Sequence, residues 1–477
     1  MNTYSVDVAV IGAGTAGLAA YRAARSHGKR VVLIEGGPYG TTCARVGCMP
    51  SKLMIAAAEA AHSVADAPAF GIHPGPAVVN GREVMARVRS ERDRFVGFVL
   101  DGVERIPRED RLQGHARFTS PTQLRVDDHT VINAKSIVIA TGSSPTIPPA
   151  LRTLGDKLVT NDEVFDWIDL PKSIVVVGTG VIGLELGQAL HRLGVRVVVL
   201  GRGVGLANIG DPAVLAAATV AFSDELDLRL AVQLVSAERK GGQAVLRYTD
   251  QTGTLRTESV DVVLAAAGRV PNVSELGIEN TGITLDAAGL PVFNPLTMQC
   301  GSSAIFIAGD ANNERPLLHE AADQGRIAGD NAGRFPEVLP GLRRTPLAIA
   351  FTDPQIASVG QTWRTLAKAR FIVGEVSFDN QGRSRVMRQN RGLLRVYVEP
   401  ATGRFIGAEM AGPRAEHLAH LLAWACQTRM TIVQMLEMPF YHPVIEEGLR
   451  TALRDAEEKL LHGLPEIEHC TDCTPGM

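Results

Sequence analysis

The chain has 477 residues, 45% hydrophobic and 21% charged, a length that exceeds one ordinary core and points to about three domains. A net charge of −3 supplies neither a basic patch for nucleic acid nor an acidic solvating tail. The longest apolar run, Ile174 to Leu184, is broken by three glycines and closed by Glu185, too short to cross a bilayer, and Met1-Asn2-Thr3 leads directly into a strand with no secretory signal, so a cytoplasmic location is expected.

In chain order, Val6 to Ile11 reads as an apolar strand running into Gly12-x-Gly14-x-x-Gly17 and a helix, with a second strand from Arg30 to Glu35. Ser173 to Val177 repeats the pattern before Gly178-x-Gly180-x-x-Gly183, and the strand Arg196 to Leu200 follows. Strand, helix and strand in that order form a βαβ unit with a parallel sheet. One glycine triplet is a weak signal; two in the same context are a strong one. The first glycine makes the tight turn, the second lets backbone approach a pyrophosphate, and the third packs helix on strand. The free N–H groups of the helix start then face the phosphates. Two units imply two bound dinucleotides.

Val262 to Asn272 reads as a buried strand ending in a turn, and Ala304 to Ala311 as another, ending in Gly309-Asp310. After Thr345 alternating strands (Gly392 to Glu399, Arg404 to Met410) give way to helices, an α+β domain of its own. Leu449, Leu453, Ala456 and Leu460 recur at helical spacing before a polar tail that starts at Gly463 and Pro465.

Six cysteines in a chain this long do not make a disulfide framework. Cys300 and Cys426 stand alone and read as small buried hydrophobes. Cys43 and Cys48 sit in Gly40-Thr-Thr-Cys43-Ala-Arg-Val-Gly-Cys48-Met-Pro-Ser-Lys52, a spacing that suits two sulfurs meeting at a helix start, where a thiolate is stabilised. Zinc is the rival reading, but it needs four ligands, and no Cys or His pair lies nearby at a usual spacing. A redox pair is expected, with no resident metal.

This string resembles the redox motif of the pyridine nucleotide-disulfide oxidoreductases, which include dihydrolipoamide dehydrogenase, glutathione reductase, mercuric reductase and large thioredoxin reductases. The resemblance spans nearly the whole chain. It implies an α/β fold with two Rossmann-type domains, one for FAD and one for NAD(P), and a C-terminal α+β dimerisation domain. The expected boundaries are 1–147 for FAD, 148–272 for the nucleotide, 273–344 for a central segment completing the FAD site, 345–462 for dimerisation and 463–477 for the tail. By resemblance, Gly12, Gly14 and Gly17 hold the FAD pyrophosphate and Glu35 its adenosine ribose. Asp310 takes the ribityl or phosphate portion, Thr141 and Gly142 mark the crossover out of the FAD domain, and Thr42 and Ala321 join the cofactor contacts. Lys52 and Glu185 match an ion pair beside the flavin ring. Gly178, Gly180, Gly183, Gly268 and Arg269 fall to the nucleotide site.

The same resemblance makes Cys48 the flavin-proximal sulfur and Cys43 the interchange thiol. Phe440-Tyr-His442-Pro443-Val-Ile-Glu-Glu447 matches the family's His-Pro signature, with Glu447 orienting His442 as the acid–base catalyst. Pro443 suits the first turn of the next helix. In the family this pair serves the opposite subunit, which implies a homodimer. The strand Arg196 to Leu200 ends in Gly201-Arg202, where NAD-using members carry an acid. Loss of the acid and gain of Arg202 favour NADPH through a forked bond to its 2′-phosphate; Arg202 pointing into solvent while NADH binds through backbone is the alternative.

The substrate is open. A small-molecule or protein disulfide, with dihydrolipoamide dehydrogenase-like chemistry, leads. The C-terminal Cys470 and Cys473, with His469, resemble the tail pairs of mercuric and large thioredoxin reductases and suggest a relay, or else a surface metal-binding scrap. Asp211-Pro212-Ala-Val-Leu also resembles mercuric reductase, whereas His442 stands where those enzymes carry tyrosine. A metal-ion reductase acting on Hg(II) or Cu(II), and a non-catalytic or transhydrogenase-like FAD protein, are the competing classes. Neither nucleic acid nor membrane is expected as a partner.

Overall fold

The computed structural model describes residues 2–75 and 77–462. Asn2–Ile11 is the middle strand of a seven-stranded sheet, parallel to Val31–Glu35 on one side and to Thr130–Ile139 on the other. The start of Thr130–Ile139 pairs antiparallel with Gln123–Val126, while its end carries Ile305–Ile307 in parallel. Val8 to Ile11 and Ile137 to Ile139 are buried, as β-branched runs covered on both faces of a parallel sheet must be. The helix Thr15–Ser26 starts directly after the first glycine turn.

The second unit repeats this architecture. Leu158–Val159, Val262–Ala265, Ser173–Val177, Arg196–Leu200 and Asp227–Arg229 form a parallel five-stranded sheet, and Val181–Arg192 is its first helix. The segment from Val262 to Asn272 is not the single strand expected. It leaves the sheet at Ala265, turns at Gly268 (φ +111°), and returns as Arg269–Pro271 in a two-stranded ribbon with Ser143–Pro145. Asn272 secures the turn by donating its backbone N–H to Gly142 O at 2.9 Å and its amide to Thr141 O at 3.1 Å. The ribbon thereby ties the two exits from the dinucleotide units together.

The C-terminal unit is an antiparallel sheet in the order Leu347–Ala350, Gln355–Gly360, Phe405–Gly412, Leu393–Val398, Ile372–Ser377. Helix Ala415–Gln427 packs against its first strands and helix Glu446–His462 against its last. Leu449, Leu453 and Ala456 are buried and Leu460 is partly so, as their spacing requires. Pro443 does not open this helix: His442–Pro443 is a cis peptide ahead of it, and helical hydrogen bonding begins at Glu446. Cys300 is buried as expected, whereas Cys426 is only half-buried. Gly463, Pro465, His469, Cys470 and Cys473 lie outside the described residues. Among the described residues no helix is long and apolar enough to cross a membrane.

Candidate active site

The two glycine turns have the same geometry. A Cβ on Gly12 would lie 2.3 Å from Ala140 O, and one on Gly178 would lie 2.1 Å from Ala266 O; both glycines also have positive φ. Gly17 and Gly183 press against the backbone of Gly12 and Gly178. Gly14 and Gly180, in contrast, face open space, which is where a pyrophosphate needs the backbone bare. Each turn is thus tight at its ends and open in the middle.

Around the first turn, Glu35 accepts Ala13 N–H (2.7 Å) and Gly37 N–H (2.8 Å), which fixes its carboxylate at the strand end with lone pairs to spare for ribose hydroxyls. Ser143 Oγ donates to Asp310 Oδ2 at 2.7 Å and accepts from Arg269 Nε at 2.8 Å, so Asp310 and Arg269 are joined through one hydroxyl. Thr141 Oγ1 is buried without a partner among the described residues, in the crossover string where a cofactor contact was expected. Ala321 lies beside Gly309, its N–H bonded to Leu317 O. Thr42 is exposed; the hydroxyl capping the short helix Thr42–Val46 is that of Thr41, at 3.3 Å from Ala44 N. The open cradle, the anchored acid and the unpartnered hydroxyl fit FAD.

At the second turn the strand end is different. Gly201 is buried, and a Cβ there would sit 2.9 Å from both Leu230 Cδ2 and Thr179 Cγ2. Thr179, inside the glycine turn, donates its hydroxyl to Gly205 O (2.7 Å) and accepts Ala207 N–H (2.9 Å), closing the 201–207 loop onto the turn. The next residue, Arg202, is exposed.

Cys43 and Cys48 come from two helices rather than one. Cys43 lies in Thr42–Val46, the chain kinks at Gly47, and Cys48 is the first residue of the long helix Cys48–Asp66. The two are free thiols, and each is the first influence on the other's proton. The hydrogen bond from Cys43 and the charge of Lys52, opposed by burial and by Glu185, bring the Cys48 thiol down to about 7. The same hydrogen bond and burial push Cys43 well above the ordinary thiol range. The shifts run in the direction that favours the thiolate on Cys48 and the proton on Cys43. One turn along the helix, Lys52 Nζ lies 2.9 and 2.8 Å from the two oxygens of the buried Glu185.

His442 Nδ1 stands 3.0 Å from both oxygens of Glu447, which also accepts Val444 N–H at 3.2 Å. The imidazole is exposed, and its polar partner among the described residues is Glu447; within one protomer nothing polar links it to Cys43 or Cys48.

Two features escaped the sequence reading. A cavity of about 450 Å³ opens beside Cys43, lined among others by Arg22, Met49, Phe95, Phe98 and Leu318. Phe351, at the end of Leu347–Ala350, lies over the Lys52 ammonium. Spacing along the chain carries no trace of either, because each brings together side chains from elements separate in sequence. Among the described residues no cluster of His, Cys, Asp or Glu could hold a metal.

Residues 6–325 match the family model of the pyridine nucleotide-disulphide oxidoreductases, and residues 347–453 match the dimerisation domain of the same enzymes. The chain belongs to this family and is an FAD-dependent NAD(P)H oxidoreductase of the disulfide-reducing class. Its relatives differ in what they act on. It is 33% identical to mercuric reductase from Shigella flexneri (94% of this chain, 80% of the relative). It is 30% identical to mycothione reductase from Mycobacterium tuberculosis strain H37Rv (95% and 99%), and 29% identical to dihydrolipoyl dehydrogenase from Thermus scotoductus (97% and 99%). Overall similarity fixes the class and leaves the substrate open.

Proposed function

We propose that the chain works as a cytoplasmic homodimer that reduces a small-molecule or protein disulfide with NADPH, through the pair Cys43 and Cys48. The observation that carries this reading is the juxtaposition of the Cys43 and Cys48 thiols, each acting on the other's proton, with the Lys52–Glu185 ion pair one helical turn away. Bound FAD supplies the acceptor for nicotinamide hydride and the electron pair that opens the disulfide. Gly12, Gly14, Gly17, Glu35, Thr42, Thr141, Gly142, Asp310 and Ala321 hold it, within residues 1–147 and 273–344. Gly178, Gly180, Gly183, Gly268, Arg269 and Arg202 hold the nucleotide, within 148–272. Arg202 beside a strand end that carries no acid and is crowded by Leu230 and Thr179 supports NADPH over NADH.

Cys43 attacks one sulfur of the substrate. The substrate S–S bond breaks, and its electron pair leaves on the second sulfur. Cys48 thiolate then attacks Cys43 of the mixed disulfide, which closes the Cys43–Cys48 bond and releases the second thiolate. Because the Cys43 thiol holds its proton tightly, this exchange needs a base. His442 of the partner subunit serves as that base and returns the proton to the leaving thiolate, while Glu447 holds Nδ1 and leaves Nε2 for the transfer. Exposed Leu421, Trp424, Val433, Met438 and Tyr441 in and beside the matched dimerisation region favour a covered face there.

Steady-state assays with NADH and NADPH against lipoamide, thioredoxin, oxidised glutathione and Hg(II) test the reading. Turnover of a disulfide with NADPH supports it; a clear preference for NADH with lipoamide overturns the nucleotide assignment. A second reading, reduction of Hg(II) or Cu(II) relayed by Cys470 and Cys473, is favoured by the mercuric reductase relative. Metal-dependent NADPH oxidation that survives intact in a Cys470→Ser/Cys473→Ser variant removes the relay.

A further inference from the structure

The Lys52–Glu185 pair is held by a third residue from another unit of the chain. Phe351 directly follows the first strand of the C-terminal sheet, and its ring centre lies 4.6 Å from Lys52 Nζ, within cation–π range. Its backbone N–H donates to Glu185 Oε1 at 2.8 Å. One residue thus grips both members of the pair, the cation through its ring and the acid through its backbone. The neighbouring contacts repeat the pattern: Gln188, three residues after Glu185, accepts Asp353 N–H at 2.8 Å and donates to Asp353 O at 2.7 Å. The short stretch 351–353 is therefore read, residue by alternate residue, by the helix that carries Glu185. Among the described residues Lys52 has one further polar contact, to Ser51 Oγ at 3.4 Å.

From these contacts we infer that Phe351 is a positioning residue for the redox pair: its ring, together with Glu185, fixes the Lys52 ammonium one helical turn from Cys48, and so helps set how Cys48 reacts. This rests on the reading of Cys43 and Cys48 as the working pair. Among the described residues of one protomer, the charged and titratable groups acting on Cys48 are Cys43, Lys52 and Glu185; Lys52 favours its thiolate and Glu185 opposes it. Without the ring, Lys52 keeps its ion pair with Glu185, but its ammonium gains freedom to shift about that carboxylate and away from the thiol. The backbone N–H stays, so Glu185 does not lose its anchor. The dimerisation unit would then act on the thiol chemistry of a distant segment through one side chain.

The test is the pH dependence of Cys48 alkylation by iodoacetamide in the reduced holoenzyme, read by peptide mass spectrometry, in a Cys43→Ser background that retains a hydroxyl donor. No disulfide substrate or turnover enters the measurement, so a mistaken substrate assignment cannot mimic its failure. Phe351→Leu is expected to raise the midpoint by about half a unit, Lys52→Met by more, and the double variant no further than Lys52→Met alone. Phe351→Tyr, which restores a ring, should restore the midpoint. An unchanged midpoint in Phe351→Leu with FAD content intact overturns the proposal, as does a full shift in Phe351→Leu on top of Lys52→Met. If Phe351→Leu fails to retain FAD, Phe351→Tyr and Phe351→Met carry the comparison: equal midpoints in these two also overturn it.

Discussion

The two glycine turns of this chain are near copies in backbone and differ at the end of the following strand. Both are closed at the first and third glycines and open at the second. After the first, the strand ends in Glu35, its carboxylate fixed by two backbone N–H groups. After the second, it is followed by Gly201, where a side chain would have to displace the ends of Leu230 and Thr179, with the exposed Arg202 beyond. The cradle is common to both; on the function proposed above, the strand end is where the two sites would tell their dinucleotides apart.

The largest expected effect comes from closing a turn. Gly17→Val would drive its side chain into Gly12 O, 1.8 Å from the Cβ position, and should abolish FAD retention, measured as the flavin absorbance of purified protein. Gly14→Ala meets nothing within 4 Å and should fold normally yet bind FAD weakly, which separates the cradle from the packing. A Gly14→Ala protein with full FAD occupancy would break the comparison at its base. Gly180→Ala should keep FAD and raise the KM for the nucleotide.

The strand ends give the next tests. Arg202→Ala is expected to raise the NADPH KM about 10-fold, the size of one charge-assisted hydrogen bond, with little change for NADH. Equal effects on both nucleotides would place Arg202 in solvent. Installing the missing acid should not convert the site: Gly201→Glu must displace Leu230 and Thr179, so affinity for both nucleotides falls. A Gly201→Glu variant that gains NADH preference would contradict the packing argument.

The smallest effect concerns pH. With Cys48 brought down to about 7, its thiolate persists above that value and is lost as pH falls through it, so Cys48 alkylation should slow progressively below neutrality. Lys52→Met should move that midpoint upward, since the removed cation favours the charged form.

Both dinucleotide units were legible because a strand, a glycine triplet and a helix are local, and local signals survive in sequence. The redox pair was legible for the same reason, although its two sulfurs come from separate helices divided at Gly47, which spacing alone does not distinguish. The run 262–272 misled because its composition is uniform; Gly268, the one residue that turns it out of the sheet, is also what an ordinary strand-ending turn would contain. Pro443 misled because a proline before a helix fits its first turn as well as a cis bond ahead of it. One missed signal was present: Gly325, Gly329 and Gly333 recur every fourth residue and let helix Leu318–Arg334 lie against Thr15–Ser26. Phe351 and the cavity at Cys43 had no such signal, being contacts between segments far apart in sequence.

The most direct test of the redox pair is anaerobic stopped-flow reduction of the enzyme by NADPH. If Cys43 and Cys48 work together, a long-wavelength charge-transfer band from the Cys48 thiolate appears as the two-electron-reduced enzyme forms, and it decays when a disulfide substrate is added. A flavin that bleaches fully after a single equivalent of NADPH, with no such band at any time, would mean that electrons never reach the pair.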